Sequence, residues 1–348
     1  MLCVAIAVMT MQAAEAGVAQ VQAAQKQVEV AVMRVISGLS STERELACAQ
    51  FADPRRTKWN YLPGTRFGAR FDQLDPSSRE DVNVLLRTTL SAKGLAKVCE
   101  IHDLEAFLGR ARPESYNREA YTLALFGDPS KATAWGFRYE GHHLSLNFTS
   151  PGGEQPSDLT ATPMFLGAAP FAVPDGKTAG VKPLGEERDL AFALLRSLTP
   201  EQLSQAVIGT TAPGDITAGP SVETVETATP AGIAAGNLSG DQRGQLLALL
   251  RVFAGRLRGE LADAEIALAQ TAGFDNIHFA WMGAQDESHP HYYRIQGPTL
   301  LVEFDCTSGT VDHVHTIWRD PQRDFGRDIL RDHLRDHYED PRHAPTKD

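Results

Sequence analysis

No cysteine pair in this chain stands at metal-binding or redox spacing, no stretch is apolar enough to cross a bilayer, and no lysine or arginine cluster is long. Each absence excludes something. The four cysteines, Cys3, Cys48, Cys99 and Cys306, form no CxxC and no Cys/His ligand pattern, which removes thiolate metal clusters and thioredoxin-like redox chemistry. Cys3 would leave with a signal peptide, and buried structural cysteine is the default role of Cys48, Cys99 and Cys306; whether Cys48 and Cys99 pair is not fixed by spacing. A formal charge of −11 and short basic clusters argue against nucleic acid as a partner. Beyond the first residues no run reaches the ~18 apolar positions of a membrane span. GxSxG, P-loop, GxGxxG with an acidic ribose ligand, and HExxH are all missing, so the standard nucleophile, nucleotide and zincin signatures carry no reading here.

What is present is ordinary globular composition, 42% hydrophobic and 22% charged over 348 residues, enough for two domains or one large one. Residues 1–16 are an apolar run ending in Ala14-Glu15-Ala16, the shape of a signal-peptide h-region and small-residue cleavage site, although a basic n-region is lacking. The expectation is a periplasmic or secreted protein. The other reading is the start of an Ala-rich helix in a cytoplasmic one.

The most informative feature is a repeat. WGFRYEGHHLSLNFT at 135–149 recurs, diverged, as HYYRIQGPTLLVEFD at 291–305. Gly141 matches Gly297 at an offset of 297 − 141 = 156, which also aligns Arg138 with Arg294, Leu144 with Leu300 and Phe148 with Phe304. Both stretches read as a strand, a turn and an alternating second strand, the period-two pattern of a hairpin with one buried face. Upstream, Leu85-Leu86-Arg87 matches Leu249-Leu250-Arg251 at an offset of 250 − 86 = 164, together with Gly68 and Gly232.

Helix starts punctuate both halves. Asp75-Pro76 supplies an N-cap and an N1 proline, Thr199-Pro200 with Gln202 a capping box, and Ser239 with Gln242 another. Residues 324–338 predict a last helix. Collinear matches at nearly fixed offsets predict an internal duplication. The expected fold is α+β: two similar helix-plus-hairpin lobes, 17–167 and 168–348, related by a pseudo-twofold axis. Residues 209–236, poor in large apolar side chains, read as a long exposed loop. The basic loop around Arg55, Arg56, Lys58 and Trp59 reads either as an anion site or as solvated surface.

Six of eleven histidines fall in or beside the hairpins. His142 and His143 sit at the first turn, His289 and His291 lead into the second hairpin, and His313 and His315 occupy the strand after it. Residues i and i+2 of a strand share a face, so HPH and HVH each offer two imidazoles on one side, able to chelate a transition metal such as zinc, copper or iron, or to act as a general base. A histidine in an aromatic-rich strand is equally a packing residue. The histidines are not shared between the copies: His142 and His143 correspond to Pro298 and Thr299, and His291 to Trp135.

Antiparallel hairpins about a twofold axis would bring His142 and His143 towards His289 and His291 in one pocket, with Arg138, Arg294 and Tyr292 beside it. Both copies keep the arginine, as a structural carboxylate fork or an anion ligand would require. Glu303 and Asp305 form a possible acid/base pair, although strand-edge carboxylates are more often solvated.

WGFRYEGHHLSLNFT, TPMFLGAAP, IHFAW, PHYYRIQGPTLLVEFD and HVHTIWRD together resemble the bacterial family known as domain of unknown function 3500, over about residues 51–338. The resemblance implies export, as many members look exported, and supplies no catalytic residue. Three function classes follow: a metal-dependent hydrolase or oxidoreductase, a non-catalytic protein binding a small molecule or metal ion, and a structural envelope-associated module.

Overall fold

The computed structural model describes residues 2–152, 159–223, 225 and 229–327, with side chains from Glu15 onward. The helix expected at 324–338 lies almost wholly outside these residues.

The chain opens with α1 (Leu2–Gly38), α2 (Ser41–Ala47) and the short strands β1 (Cys48–Ala49) and β2 (Ala69–Arg70). There follow α3 (Pro76–Thr89), α4 (Ala92–Gly109), β3 (Thr122–Phe126), the hairpin β4 (Trp135–Gly141) and β5 (Leu144–Ser150), and β6 (Met164–Ala168). The second half runs α5 (Gly185–Ser197), α6 (Pro200–Ala206), β7 (Val207–Gly209), β8 (Ile233–Ala234), α7 (Gly240–Ala254) and α8 (Gly259–Thr271). It ends in β9 (His278–Gly283), the hairpin β10 (His291–Gly297) and β11 (Leu300–Cys306), and β12 (Val314–Arg319).

Helix boundaries follow local chemistry. The Asp75 carboxylate accepts from the N–H groups of Ser77 and Ser78 ahead of α3. Capping boxes start α6 (Thr199 with Gln202) and α7 (Ser239 with Gln242), each satisfying donors that the first helical turn leaves unpaired. The connections after α3 and α7 are strapped together: Ser91 N–H donates to Arg256 O at 3.1 Å and Arg258 N–H to Thr89 O at 3.0 Å.

All twelve strands form one mixed sheet whose main path is β1-β3-β4-β5-β6-β12-β11-β10-β9-β7, with β2 on β3 and β8 on β9. The outermost pairs on this path, β1 with β3 and β7 with β9, are parallel, and the path between them is antiparallel.

Register sorts the side chains into two unlike faces. One carries Leu123, Phe137, Leu146, Leu166, Val302 and Tyr293, all buried in the main core with residues of α1, α3, α4, α5, α7 and α8. The other presents Arg138, Glu140, Asn147, His315, Glu303 and Asp305, and these too are buried. The alternation predicted one solvated face; both are covered, because the irregular segments around 51–68 and 210–223 lie over the polar one. A second small core marks this cover, with Trp59 and Tyr61 from one segment, Ile216 and Ala218 from the other, and Phe165 and Ile317 from the sheet. The segment expected to be an exposed connection is in fact a lid. Its peptide groups replace water on buried carboxylates: Glu303 accepts from the N–H groups of Thr217 at 2.6 Å and Ala218 at 3.2 Å. Arg319 donates to the carbonyls of Ala218 and Val222 at 3.1 and 2.7 Å.

Candidate metal site

The centre of the polar face is built on the β6–β12 pair. His315 opposes Gly167 on one side and Asp305 on the other, and strand alternation sends its ring toward the lid. His313 stands just before β12. His143 comes from the two-residue turn between β4 and β5, in the left-handed region at φ 59°, a conformation uncommon outside glycine. That turn is tied from both sides: His143 N–H donates to Tyr61 O at 3.0 Å, and Gly167 N–H to His143 O at 2.8 Å.

The three rings converge. His143 Nε2 lies 3.0 Å from His313 Nε2, which lies 3.0 Å from His315 Nε2, and all three donor atoms fall within 4.8 Å of one another. Burial, then the neighbouring imidazoles, holds His143 well below the ordinary histidine range. The same two causes bring His313 down to about 4, so both rings are neutral at physiological pH. His315 Nδ1 lies 2.7 Å from Asp215 Oδ1. Half-burial works against ionisation of Asp215, but bonds from His315, Tyr61 and the Ile216 N–H hold its carboxyl below the usual range. An ionised carboxylate at Nδ1 places the proton there and leaves the His315 Nε2 lone pair free.

Aromatic packing fixes these rings. Tyr61 and Phe165, stacked at 4.1 Å, both meet the His315 ring in T-shaped contacts, at 5.0 and 5.1 Å. Tyr61 Oη donates to Asp215 Oδ2 at 2.7 Å. His142 stacks on His143 at 3.8 Å and is paired through Nδ1 with the buried Glu105 of α4; Glu105, His142 and His143 make a second group of convergent donors. Asp305, fully buried beside His315 in the sheet, has its Oδ1 without a partner among the described residues. Burial foremost, with Asp215 and Glu303 nearby, pushes its carboxyl up to about 8.

The other residues singled out from sequence lie elsewhere. Tyr292 opposes Asp305 across the strands, so its neighbour His291 projects to the opposite, helix-covered face. There it packs between Trp281 and Phe304 and against Phe192 of α5, with Cys306 Sγ 3.6 Å away. His143 and His291 therefore do not share a pocket. His289 is exposed in the loop before β10 and pairs with Asp286 at 2.8 Å, so HPH does not present two rings on one side.

Arg138 binds Glu140 at 2.9 Å and donates to the carbonyls of Arg55 and Arg56, each at 3.0 Å, so it holds the first lid segment down. Arg294 opposes Glu303, and its Nε has no partner among the described residues. Tyr292 Oη is likewise unpaired there. Cys48, Cys99 and Cys306 are free thiols, and of the three expected to be buried only Cys306 is: Cys48 is half-buried and Cys99 exposed. Reading the sequence alone missed Asp215, Tyr61 and Gly167. The first two sit in lid segments without periodicity, and the glycine carried no signal beyond its place in TPMFLGAAP.

Fold and site together define an α+β protein with one twelve-stranded mixed sheet and a cluster of buried histidines on its lidded face. The chain belongs to the family described as Protein of unknown function (DUF3500), whose model matches residues 21–327. No curated protein and no solved structure matches it.

Proposed function

We propose that His143, His313 and His315 hold a divalent transition metal, zinc foremost and copper or iron as alternatives, and that the protein is a metal-dependent hydrolase. The supporting observation is the convergence of three imidazole Nε2 atoms. A neutral Nε2 is either a donor or an acceptor, never both, so His313 Nε2 cannot satisfy two imidazole neighbours at 3.0 Å by donating to one and accepting from the other. A cation accepts all three lone pairs at once. Nitrogens bound tetrahedrally at ~2.0–2.1 Å stand about 3.3–3.4 Å apart, close to the separations seen.

The donor set fits the catalytic type. Three protein ligands leave a fourth position, and a zinc ion there supplies Lewis acidity and a water acidic enough to ionise near neutrality. Asp215 orients His315 from behind. Asp305, with an unpaired oxygen on the same face, is the candidate acid/base group. A non-catalytic metal-binding protein is the second reading, favoured by the depth at which the lid buries the rings. Metal analysis of tag-free protein tests the core of the proposal: about one ion per chain is expected, lost in His313→Ala, and absence of stoichiometric metal after zinc loading would sink it.

We further propose that the halves 17–167 and 168–348 are duplicated lobes about a pseudo-twofold axis through the β6–β12 pair. The strand path supports this, since it runs through corresponding elements from either end. Gly68 and Gly232 do too, both at positive φ and both against the backbone of a long strand, β3 or β9. Export is proposed on the apolar N-terminal run; a periplasmic reporter fused after residue 38 that stays inactive would count against it.

A further inference from the structure

The first lid segment encloses a second feature, which stands whether or not a metal is held. Between it and β4 is a cleft of about 630 Å³ lined by Arg55, Lys58, Arg66, Arg138 and Glu140, with Trp59 and Tyr61 among its walls. Four cations and one carboxylate give 4 − 1 = +3 in a chain whose formal charge is −11.

The compensation is uneven. Glu140 is occupied by Arg138 at 2.9 Å and by the Asn60 N–H at 3.1 Å. Arg55 is forked onto Asp53 at 2.9 and 2.6 Å. Arg66 donates only to backbone carbonyls, those of Asn60, Gly64 and Leu62. These orient its guanidinium without neutralising it. Lys58 has no ion-pair partner among the described residues and is exposed. Two cations thus face one concavity with no salt bridge of their own among the described residues, Arg66 feeling Glu140 only at a distance, one of them rigidly held and the other free to close on a ligand.

We propose that this cleft binds the oxyanion of a small organic molecule, a carboxylate or a phosphate. A fixed guanidinium beside a mobile ammonium is suited to such a group, and the aromatic walls suit the carbon skeleton attached to it. Tyr61 lines the cleft and also donates to Asp215, so an anchored molecule lies one side chain from the carboxylate that holds His315.

The test is calorimetric titration of the full, tag-free chain in EDTA, which removes any metal contribution, with inorganic phosphate and succinate as separate probes. Saturable binding of at least one probe is expected, with the tighter probe identifying the class. Lys58→Glu should weaken it about tenfold or more, equivalent to ~1.4 kcal/mol, without altering the melting temperature, since Lys58 is exposed and unpaired. Lys177→Glu, another exposed lysine outside the cleft, should bind as wild type. Absence of saturable heat with both probes, or a Lys58→Glu variant that binds within a few-fold of wild type, overturns the proposal.

Discussion

At the scale of single residues, Gly167 explains how two imidazoles can cross a strand. A Cβ there would stand 2.8 Å from His143 Cδ2 and 2.9 Å from His315 Cδ2, inside van der Waals contact with both rings. Its φ is not in the left-handed region, so side-chain space and not backbone freedom demands glycine. Each ring is also pinned, His143 by its turn and His315 by Asp215, so neither can yield without losing the convergence. Gly167→Ala is therefore expected to keep the fold, at a cost of about 1–3 kcal/mol from overpacking, while losing bound metal. Circular dichroism and elemental analysis of the same preparation check both halves of the claim; full metal occupancy in the variant would show that the rings have slack.

At the scale of elements, the joint between the helices and the sheet rests on Glu187 of α5, whose side chain is wholly buried. Its carboxylate accepts from Lys97 of α4 and from Arg256 after α7, each at 3.0 Å, and its carbonyl accepts from Tyr293 of β10 at 3.0 Å. Arg256 reaches on to Thr316 of β12 at 3.1 Å. Removing one member of a buried ionic group leaves the others charged and desolvated, which costs more than the group contributes when whole. Glu187→Ala should destabilise by about 3–5 kcal/mol, measured by denaturant unfolding. A loss under ~1 kcal/mol would mean that water reaches the two cations.

Elements were also where the sequence was most readable. Asp75, Thr199 and Ser239 announce their helices because capping is a local interaction completed within four residues. The hairpins are visible because alternation is local too. The lid segments are not, since 51–68 and 210–223 owe their place to long-range bonds such as Asp215 to His315, which no periodicity encodes. Faces are harder still. His291 was joined with His143 by sequence proximity to the hairpins, yet a one-residue step along a strand reverses the side chain, and its actual register sends it into the helical core. HVH formed a pair, His313 Nε2 lying 3.0 Å from His315 Nε2, whereas HPH did not, because His289 is held in its loop by Asp286 while His291 packs against Trp281 in the helix-covered core.

At the scale of the whole molecule, the histidine cluster joins the two halves of the chain. His143 belongs to the β4–β5 turn and is separated by 170 positions from His313, while the sheet between them is closed by the β6–β12 pair. A metal held by all three rings would cross-link the halves in the folded state alone. Binding restricted to the native state raises stability by RT ln(1 + [L]/Kd), about 2.7 kcal/mol at a hundredfold excess over Kd. For a chain of this size that corresponds to a rise of roughly 4 °C in melting temperature. EDTA-treated wild type is expected to gain this shift on adding zinc. His143→Ala, which keeps two ligands on one half and none on the other, should lose most of it even if weak binding persists. His289→Ala, an exposed loop residue paired with Asp286 and not with the three rings, should shift as wild type does. If His143→Ala retained the full shift, zinc would be stabilising one half alone, through some other set of donors, and the cluster would be packing between the halves and not a link.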